Sequence, residues 1–199
     1  NITCGEGGAL LTNNKELAGK IELMREKGTN RAMFLRGDVD KYTWVSIGSS
    51  YVQSDILAAI LLEQLKKLPE IIQKHTNIAN YYNKNLKNYP EIIKLPKEIE
   101  GSKVNWHIYV VIVKPKTRDW FIRELRSKGI EATFHFVPLH TSSFARSLGY
   151  RKGNLPITEY VSESLIRLPI YSRMKQLDVK YVVSTIEKII KNPIGKVNL

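Results

Sequence analysis

A helical pattern with a proline near its middle, running from Ser54-Asp55 towards Tyr89-Pro90, limits the possible folds of this chain more than any other feature. Ser54 is suited to capping a helix and Asp55 to its first turn, where exposed N–H groups and the positive end of the helix dipole favour oxygen acceptors. Leu57, Ile60, Leu61 and Leu68 recur at helical spacing, with Gln64 the exception, and predict a broad buried stripe. Pro69 lacks a donor and clashes with the turn before it, so it predicts a kink or an interruption. A second helical stretch, Ile71 to Leu86, carries the chain to the Tyr89-Pro90 stop, and His75 is expected on its polar, solvent-facing side.

Elements on either side follow from the same local rules. Gly5 to Thr12 reads as a turn into a short strand stopped by Asn13-Asn14. Lys15 to Lys27 reads as a helix with Leu17, Ile21 and Met24 on one face and Gly28 as its cap. Thr29 to Ser50 has no sustained periodicity, and a connection of that length is expected to be functional. Further on, Trp106 to Val113 predicts a buried strand, Thr117 to Lys128 a helix closed by Gly129, and Ile130 to Phe136 a strand. Thr158 to Ile166 and Leu177 to Lys191 predict two more helices, the second amphipathic through Val179, Val182, Val183, Ile186 and Ile190. Strands alternating with helices from about residue 90 onward make a small α+β or α/β domain.

Composition excludes several classes. With 199 residues, 43% of them hydrophobic, there is material for one compact domain, or for a small domain carrying part of a larger one. The single cysteine, Cys4, cannot form an internal disulfide and suggests a reducing, cytoplasmic setting. No apolar run approaches the roughly 20 residues of a membrane span, and no membrane partner is expected. The net charge of +12 is concentrated downstream: residues 1–100 hold 14 Lys+Arg against 12 Asp+Glu, and residues 101–199 hold 17 against 7. The cations form no run of five or more, so the charge suits anionic small molecules and does not form a nucleic-acid tail. There is no initiator Met, and the glycine-dense opening Asn1-Ile2-Thr3-Cys4-Gly5-Glu6-Gly7-Gly8 looks like the interior of a domain, so the chain is expected to be truncated.

Three groups of residues are candidates for chemistry. Glycines around Glu6 permit positive φ and close backbone approach, as a ligand-cradling turn requires, although a tight strand-entry turn would look the same. Lys41-Tyr42-Thr43-Trp44 and Gly48-Ser49-Ser50-Tyr51 place adjacent hydroxyls beside a glycine just before a helix, an arrangement that can hold phosphate. His107 lies in the apolar run, and His135 and His140 flank Val137-Pro138-Leu139, where two histidines are expected to line a pocket. No acidic or cysteine cluster completes a metal site, and no metal is expected.

These segments occur together and in order in one family. Asn1 to Leu11 resembles the segment directly after the Schiff-base lysine of DegT/DnrJ-type sugar-nucleotide aminotransferases. Arg25 to Arg31, Asp40 to Val45, Gly48 to Tyr51, Ser54-Asp55, Phe134 to His140 and Arg167 to Ile170 extend the resemblance over nearly the whole chain. They are most similar to the branch that aminates dTDP-4-keto-6-deoxy-D-glucose, the dTDP-4-amino-4,6-dideoxygalactose transaminases.

The resemblance implies an α/β, fold-type-I, pyridoxal-phosphate-dependent transferase about twice this length. Residues 1–68 would be the last part of the large cofactor-binding domain with the start of a connecting helix, and 69–199 the small C-terminal α+β domain. The parent would be a homodimer with active sites at the interface, taking an amino group from glutamate and placing it on C4 of the nucleotide-linked keto sugar. Its lysine would immediately precede Asn1, leaving no catalytic residue in this chain. Asn1, Glu6 and Ser50 would contact the cofactor, with Ser50 standing where many members have an asparagine. Lys41, Tyr42, Ser49, His107, His135 and His140 would contact or support the substrate. Amination at C3, dehydration with histidine in place of the lysine, and a non-catalytic dimerising or nucleotide-sugar-binding module remain as alternatives.

Overall fold

The computed structural model describes residues 1–191, which separate into two compact units: Ile2–Leu68, and Pro69 onward together with Asn1. In the first unit, α1 (Lys15–Arg25) starts where Asn14 accepts the Leu17 N–H at 3.0 Å. It ends in a left-handed turn in which the Gly28 N–H, at φ +76°, returns to the Leu23 carbonyl at 2.8 Å. A six-residue helix, α2 (Arg31–Arg36), lies within the stretch expected to be aperiodic, and it is too short to carry a periodic signal. Arg36 holds α2 to α1 by a bidentate pair with Glu22, at 2.7 and 3.0 Å. The expected strand after Gly5 is absent: residues 7–12 have no neighbouring strand in the described residues to pair with, and Leu10 and Leu11 are exposed.

The long helix α3 (Asp55–Leu86) runs through Pro69 without interruption. A proline removes only the bond to the residue four positions earlier, here Leu65, which is exposed and open to water. The second half of α3 is anchored by burial of Ile78, Ala79, Tyr82 and Leu86. The first half is not: Leu57, Leu61 and Leu68 are half-buried and Ile60 is exposed, so the predicted stripe has no core to meet. Within Ile2–Leu68, Gly28 and Asn30 alone are buried among the described residues.

The second unit is built on a three-stranded antiparallel sheet in the order β1 (Ile92–Lys94), β2 (Tyr109–Val113), β3 (Leu165–Leu168). Tyr109, Val111 and Val113 alternate inward along β2, and Ile166 and Leu168 do so on β3. They meet Ile78, Tyr82 and Leu86 of α3, Phe121 and Leu125 of α4 (Arg118–Ser127), and Val179, Val182 and Ile186 of α7 (Gln176–Lys191) in one hydrophobic core. Two tyrosines tie it together, with ring centroids 4.8 Å apart. The Tyr82 hydroxyl donates to the Pro169 carbonyl at 2.8 Å and that of Tyr109 to Asn83 at 2.7 Å. Burial raises both phenol pKa values well above the ordinary 10.

A 3-10 turn (Leu139–Thr141), α5 (Ser143–Ser147) and α6 (Pro156–Ser164) complete the unit. Ile130 to Phe136 is not a strand. It makes one bridge, Thr133 to Arg167, and otherwise runs irregularly past the edge of β3. His75 is buried at 4% exposure, against the expectation of a solvent-facing residue, because its face of α3 turns towards Trp106. His107 is exposed in a bend ahead of β2, since the strand begins only at Tyr109.

Candidate functional site

In the unit Ile2–Leu68, the motif segments form a single knot. The Lys27 N–H donates to the Ser49 carbonyl at 2.9 Å, the Ser49 N–H to Met24 at 3.0 Å, and the Val45 and Ser46 N–H groups to Gly28 at 2.9 and 3.0 Å. The Asn30 side-chain oxygen accepts the Thr43 N–H at 2.7 Å, and Trp44 Nε1 donates to the Lys27 carbonyl at 2.8 Å. Backbone from three separate segments is thus fixed without an apolar core. On this frame Lys41, Tyr42, Ser49 and Ser50 are all exposed. The Tyr42 ring lies 5.8 Å from that of Phe34. The side chains of Lys41, Ser49 and Ser50 make no hydrogen bond or ion pair among the described residues, which leaves them available to a ligand. Glu6 is exposed, and its carbonyl accepts from Cys4 Sγ at 3.3 Å, while Gln53 donates to the same sulfur at 3.0 Å.

In the other unit, a turn holds Asn105, Trp106 and His107 immediately before β2. Asn105 Oδ1 accepts both the His107 backbone N–H, at 3.2 Å, and ring Nδ1, at 3.0 Å. A backbone N–H can only donate, so the shared atom is the amide oxygen and Nδ1 is the protonated ring nitrogen. Nε2 is therefore the remaining site of the His107 ring. Trp106 occupies the left-handed region at φ +48°, a conformation that costs a non-glycine residue about 1–3 kcal/mol. The turn is braced from two sides: His75 Nδ1 meets the Trp106 carbonyl at 3.0 Å, and Asn1 Nδ2 donates to the Asn105 carbonyl at 2.5 Å. His75 Nε2 and Trp106 Nε1 are buried without a partner, so the turn retains unsatisfied hydrogen-bonding groups. Burial lowers the His75 pKa below its ordinary 6.5.

His107 also lines a cavity of about 670 Å³ with Thr133, Glu131, Arg167, Tyr171 and Asp178. A second cavity, of about 520 Å³, lies over the Phe134 to Thr141 segment and is lined by Phe134, Phe136, Arg118, Lys152 and Glu159. His140 is buried, and its Nε2 is committed to Glu159 at 2.8 Å. Glu159 also accepts the Gly153 N–H at 2.7 Å, and the His140 contact followed by this bond holds its carboxyl below the usual range. His135 packs its ring 4.5 Å from Phe136, with Nδ1 buried and unpartnered. The structure thus divides the three histidines: His107 is on the first cavity, while His135 and His140 belong to the segment that bounds the second. Among the described residues, no cluster of three or more His, Cys, Asp or Glu is placed to hold a metal ion, and no helix is long and apolar enough to cross a membrane.

Sequence reasoning gave no role at a site to Asn105, Trp106, His75, Glu159 or Arg167. Asn two residues before a histidine is an Asx-turn signal, and an arginine between Ile166 and Leu168 in an apolar run is an anomaly for a buried strand. Nothing in the sequence pairs Glu159 with His140.

The model of the DegT/DnrJ/EryC1/StrS aminotransferase family matches residues 1–187, which takes in both units and every motif segment described above. The chain belongs to this family. Its members are pyridoxal-phosphate-dependent sugar aminotransferases. The chain is 36% identical over 198 residues to the uncharacterized protein MJ1066 of Methanocaldococcus jannaschii, covering 96% of this chain and 51% of that protein. It is 31% identical over 204 residues to the UDP-4-amino-4-deoxy-L-arabinose--oxoglutarate aminotransferase of Shewanella sediminis, covering 96% and 53%. The sugar aminotransferase CalS13 of Micromonospora echinospora superimposes with a TM-score of 0.81 at 24% identity, covering 94% of this chain and 48% of CalS13. The chain therefore spans about half the length of these relatives. Its fold is that of part of a fold-type-I pyridoxal-phosphate-dependent aminotransferase, mixed α/β with a small antiparallel sheet.

Proposed function

We propose that this chain is the C-terminal half of an enzyme that moves an amino group from glutamate to C4 of a dTDP-linked 4-keto-6-deoxyhexose, working as a homodimer. Residues 1–68 would close the large domain and residues 69–199 form the small one. One observation supports this above the others: Asn1, the residue that would follow the cofactor-binding lysine, is hydrogen-bonded to the same Asn105 that orients the His107 ring. That arrangement would tie the lysine position to an oriented imidazole on a cavity wall.

The residues present fit pyridoxal phosphate, which when bound supplies the electron sink for moving an amino group. Ser50 offers an exposed, unpartnered hydroxyl for the cofactor phosphate; serine is a shorter donor than the asparagine of many relatives. Glu6 would support the cofactor-side turn, and Asn1 would fix the chain beside it. On the substrate side, Lys41 supplies a free cation for a diphosphate, and Tyr42 and Ser49 supply hydroxyls. His107 would hold a hydrogen bond or a proton at Nε2, with its ring orientation set by Asn105. His140, locked to Glu159, would keep the Phe134 to His140 segment in place, with the half-buried His135 within it.

The test is to incubate the full-length protein with pyridoxal phosphate, L-glutamate and dTDP- or UDP-linked 4-keto-6-deoxyhexose, and to identify the product by mass and by NMR at the aminated carbon. A C4 amine on the dTDP sugar is the expected product. Recovery of every keto sugar unchanged would end this reading, and amination at C3 or dehydration would replace it with one of those outcomes. A second reading, a UDP-linked substrate, is favoured by the Shewanella sediminis relative, whose name specifies a UDP-linked 4-amino sugar and oxoglutarate.

A further inference from the structure

His75 lies on the same stretch of α3 as Ile78, Ala79 and Tyr82, and like them it is buried. Its Nδ1 is 3.0 Å from the Trp106 carbonyl, and a carbonyl only accepts, so Nδ1 carries the proton. The other nitrogen, Nε2, is buried with no partner among the described residues. A leucine would fill the same space without the cost of desolvating two ring nitrogens. What the imidazole adds is one hydrogen bond, and that bond falls on the turn ahead of β2.

It falls at the strained point of that turn. Trp106, at φ +48°, stands in the left-handed region that side-chain-bearing residues rarely adopt. The two peptide groups flanking it are each held by a side chain from elsewhere: Asn1 Nδ2 donates to the Asn105 carbonyl at 2.5 Å, and His75 donates to the Trp106 carbonyl. Peptide groups are planar, so holding both planes fixes φ and ψ of the residue between them. The second of these planes carries the His107 N–H, which donates to Asn105 Oδ1 at 3.2 Å. The same oxygen accepts from His107 Nδ1 at 3.0 Å, so the ring is oriented only while this peptide keeps its place. Asn105 and His107 are exposed, whereas Trp106 and His75 are buried at 3% and 4% exposure and form the root of the turn. Strained backbone persists where the surroundings over-determine it, and such places cluster at sites.

We propose that His75 is a positioning residue for His107: by holding the Trp106 carbonyl it keeps the His107 ring in its Nδ1–H form, with Nε2 as the reactive nitrogen. What His107 then does rests on the aminotransferase reading; the proposal adds to it a residue that lies behind the turn. His75 does not line the cavity that His107 lines, and it acts through His107 alone.

The experiment uses the full-length protein and its variants His75→Leu, which fills the space without a donor, His75→Gln, which restores one, and His107→Gln. Ring nitrogen NMR of 15N-histidine-labelled protein, at about pH 8 to keep imidazoles neutral, reports the His107 tautomer, assigned by its loss in His107→Gln. Wild type should show the Nδ1–H form, and His75→Leu an average of the two tautomers. In turnover, His75→Leu should lower kcat by about 10- to 100-fold, the loss expected of a misplaced catalytic group, and leave KM within about three-fold. His75→Gln should recover most of that loss. Combining His75→Leu with His107→Gln should be no slower than His107→Gln alone, because two residues that act as one unit are not additive. An unaltered His107 tautomer in His75→Leu overturns the proposal. So does an equal further loss from His75→Leu in the His107→Gln background, which would make its role structural. Should His75→Leu fail to fold, His75→Met, which also lacks a donor, carries the same test; a wild-type His107 ring that averages between tautomers overturns the proposal outright. The NMR arm needs no turnover. A tautomer change in His75→Leu of a protein that aminates no sugar sustains the positioning role and removes the sugar reading. Amination by His75→Leu at the wild-type kcat does the reverse.

Discussion

Gly48 lies directly against the backbone of Gly28: a methyl group on Gly48 would fall 2.2 Å from the Gly28 nitrogen, and one on Gly28 would fall 1.8 Å from the Ser46 carbonyl oxygen. The two glycines stand in separate motif segments and let them interpenetrate, which explains how a unit with almost no buried side chains holds a defined shape. Because the obstructing atoms are backbone, no side-chain rotation relieves the clash. Gly28→Ala is strained twice over, by the clash and by its φ of +76°. Either alanine variant should cost more than about 2 kcal/mol, read as loss of amide exchange protection at Lys27 and Ser49. Unchanged protection at those amides would show that the knot opens without cost.

Tyr82→Phe removes the hydroxyl that reaches the Pro169 carbonyl from α3. Leaving that half-buried acceptor without its partner should destabilise the second unit by about 0.5–1.5 kcal/mol in denaturant unfolding. Tyr109→Phe, which strands the equally half-buried Asn83 instead, should give a loss of similar size. An unchanged denaturant midpoint in either variant would contradict this.

His75 gives stability a specific pH dependence. Its folded pKa is depressed by burial, so the unfolded chain binds more protons just below the ordinary 6.5. The contribution is complete above 6.5 and is lost as pH falls through the lowered folded value. Denaturant midpoints measured from about pH 7.5 down to about pH 5 should therefore decline, and the decline should be shallower in His75→Gln, whose amide can still reach the Trp106 carbonyl. Parallel pH profiles for the two proteins would assign the effect elsewhere.

Glu159 acts in a more acidic window. Its pKa is held down by His140 and the Gly153 N–H, so it stabilises the fold above the ordinary 4.5 and ceases to do so as pH drops through the folded value. Glu22 and Glu187 are lowered too, by Arg36 and Lys191, so acid sensitivity as such is shared. The difference between wild type and Glu159→Gln isolates the His140 pair. It should shrink as pH falls below 4.5 and vanish once pH is below the lowered folded value, and NMR of the Phe134 to His140 segment should show increased mobility in the variant at neutral pH.

The helices were largely legible in the sequence. Gly28, Ser54 and Gly129 act where local rules place them, and the apolar spacing of α4 and α7 identifies Phe121, Leu125, Val179, Val182, Val183 and Ile186 as inward-facing. The family, too, was legible, because its ordered segments are contiguous in the chain. The short strands were not: β1 and β3 have three and four residues and exist only through pairing with β2.

Of the candidate site, the sequence by itself nominated residues for chemistry, among them Lys41, Ser50 and the histidines, and determined that the Gly28 and Gly48 segments belong to one family pattern. Tertiary structure alone decided where side chains lie and what they touch. It turned His75 inward, committed His140 to Glu159 across 19 positions of sequence, and left Arg167 unpaired on a cavity beside His107. The reason is the range of the forces involved. Capping and helical spacing act within about four residues and are written along the chain. Burial and pairing depend on which distant segments arrive at the same place, and only the folded chain brings them together.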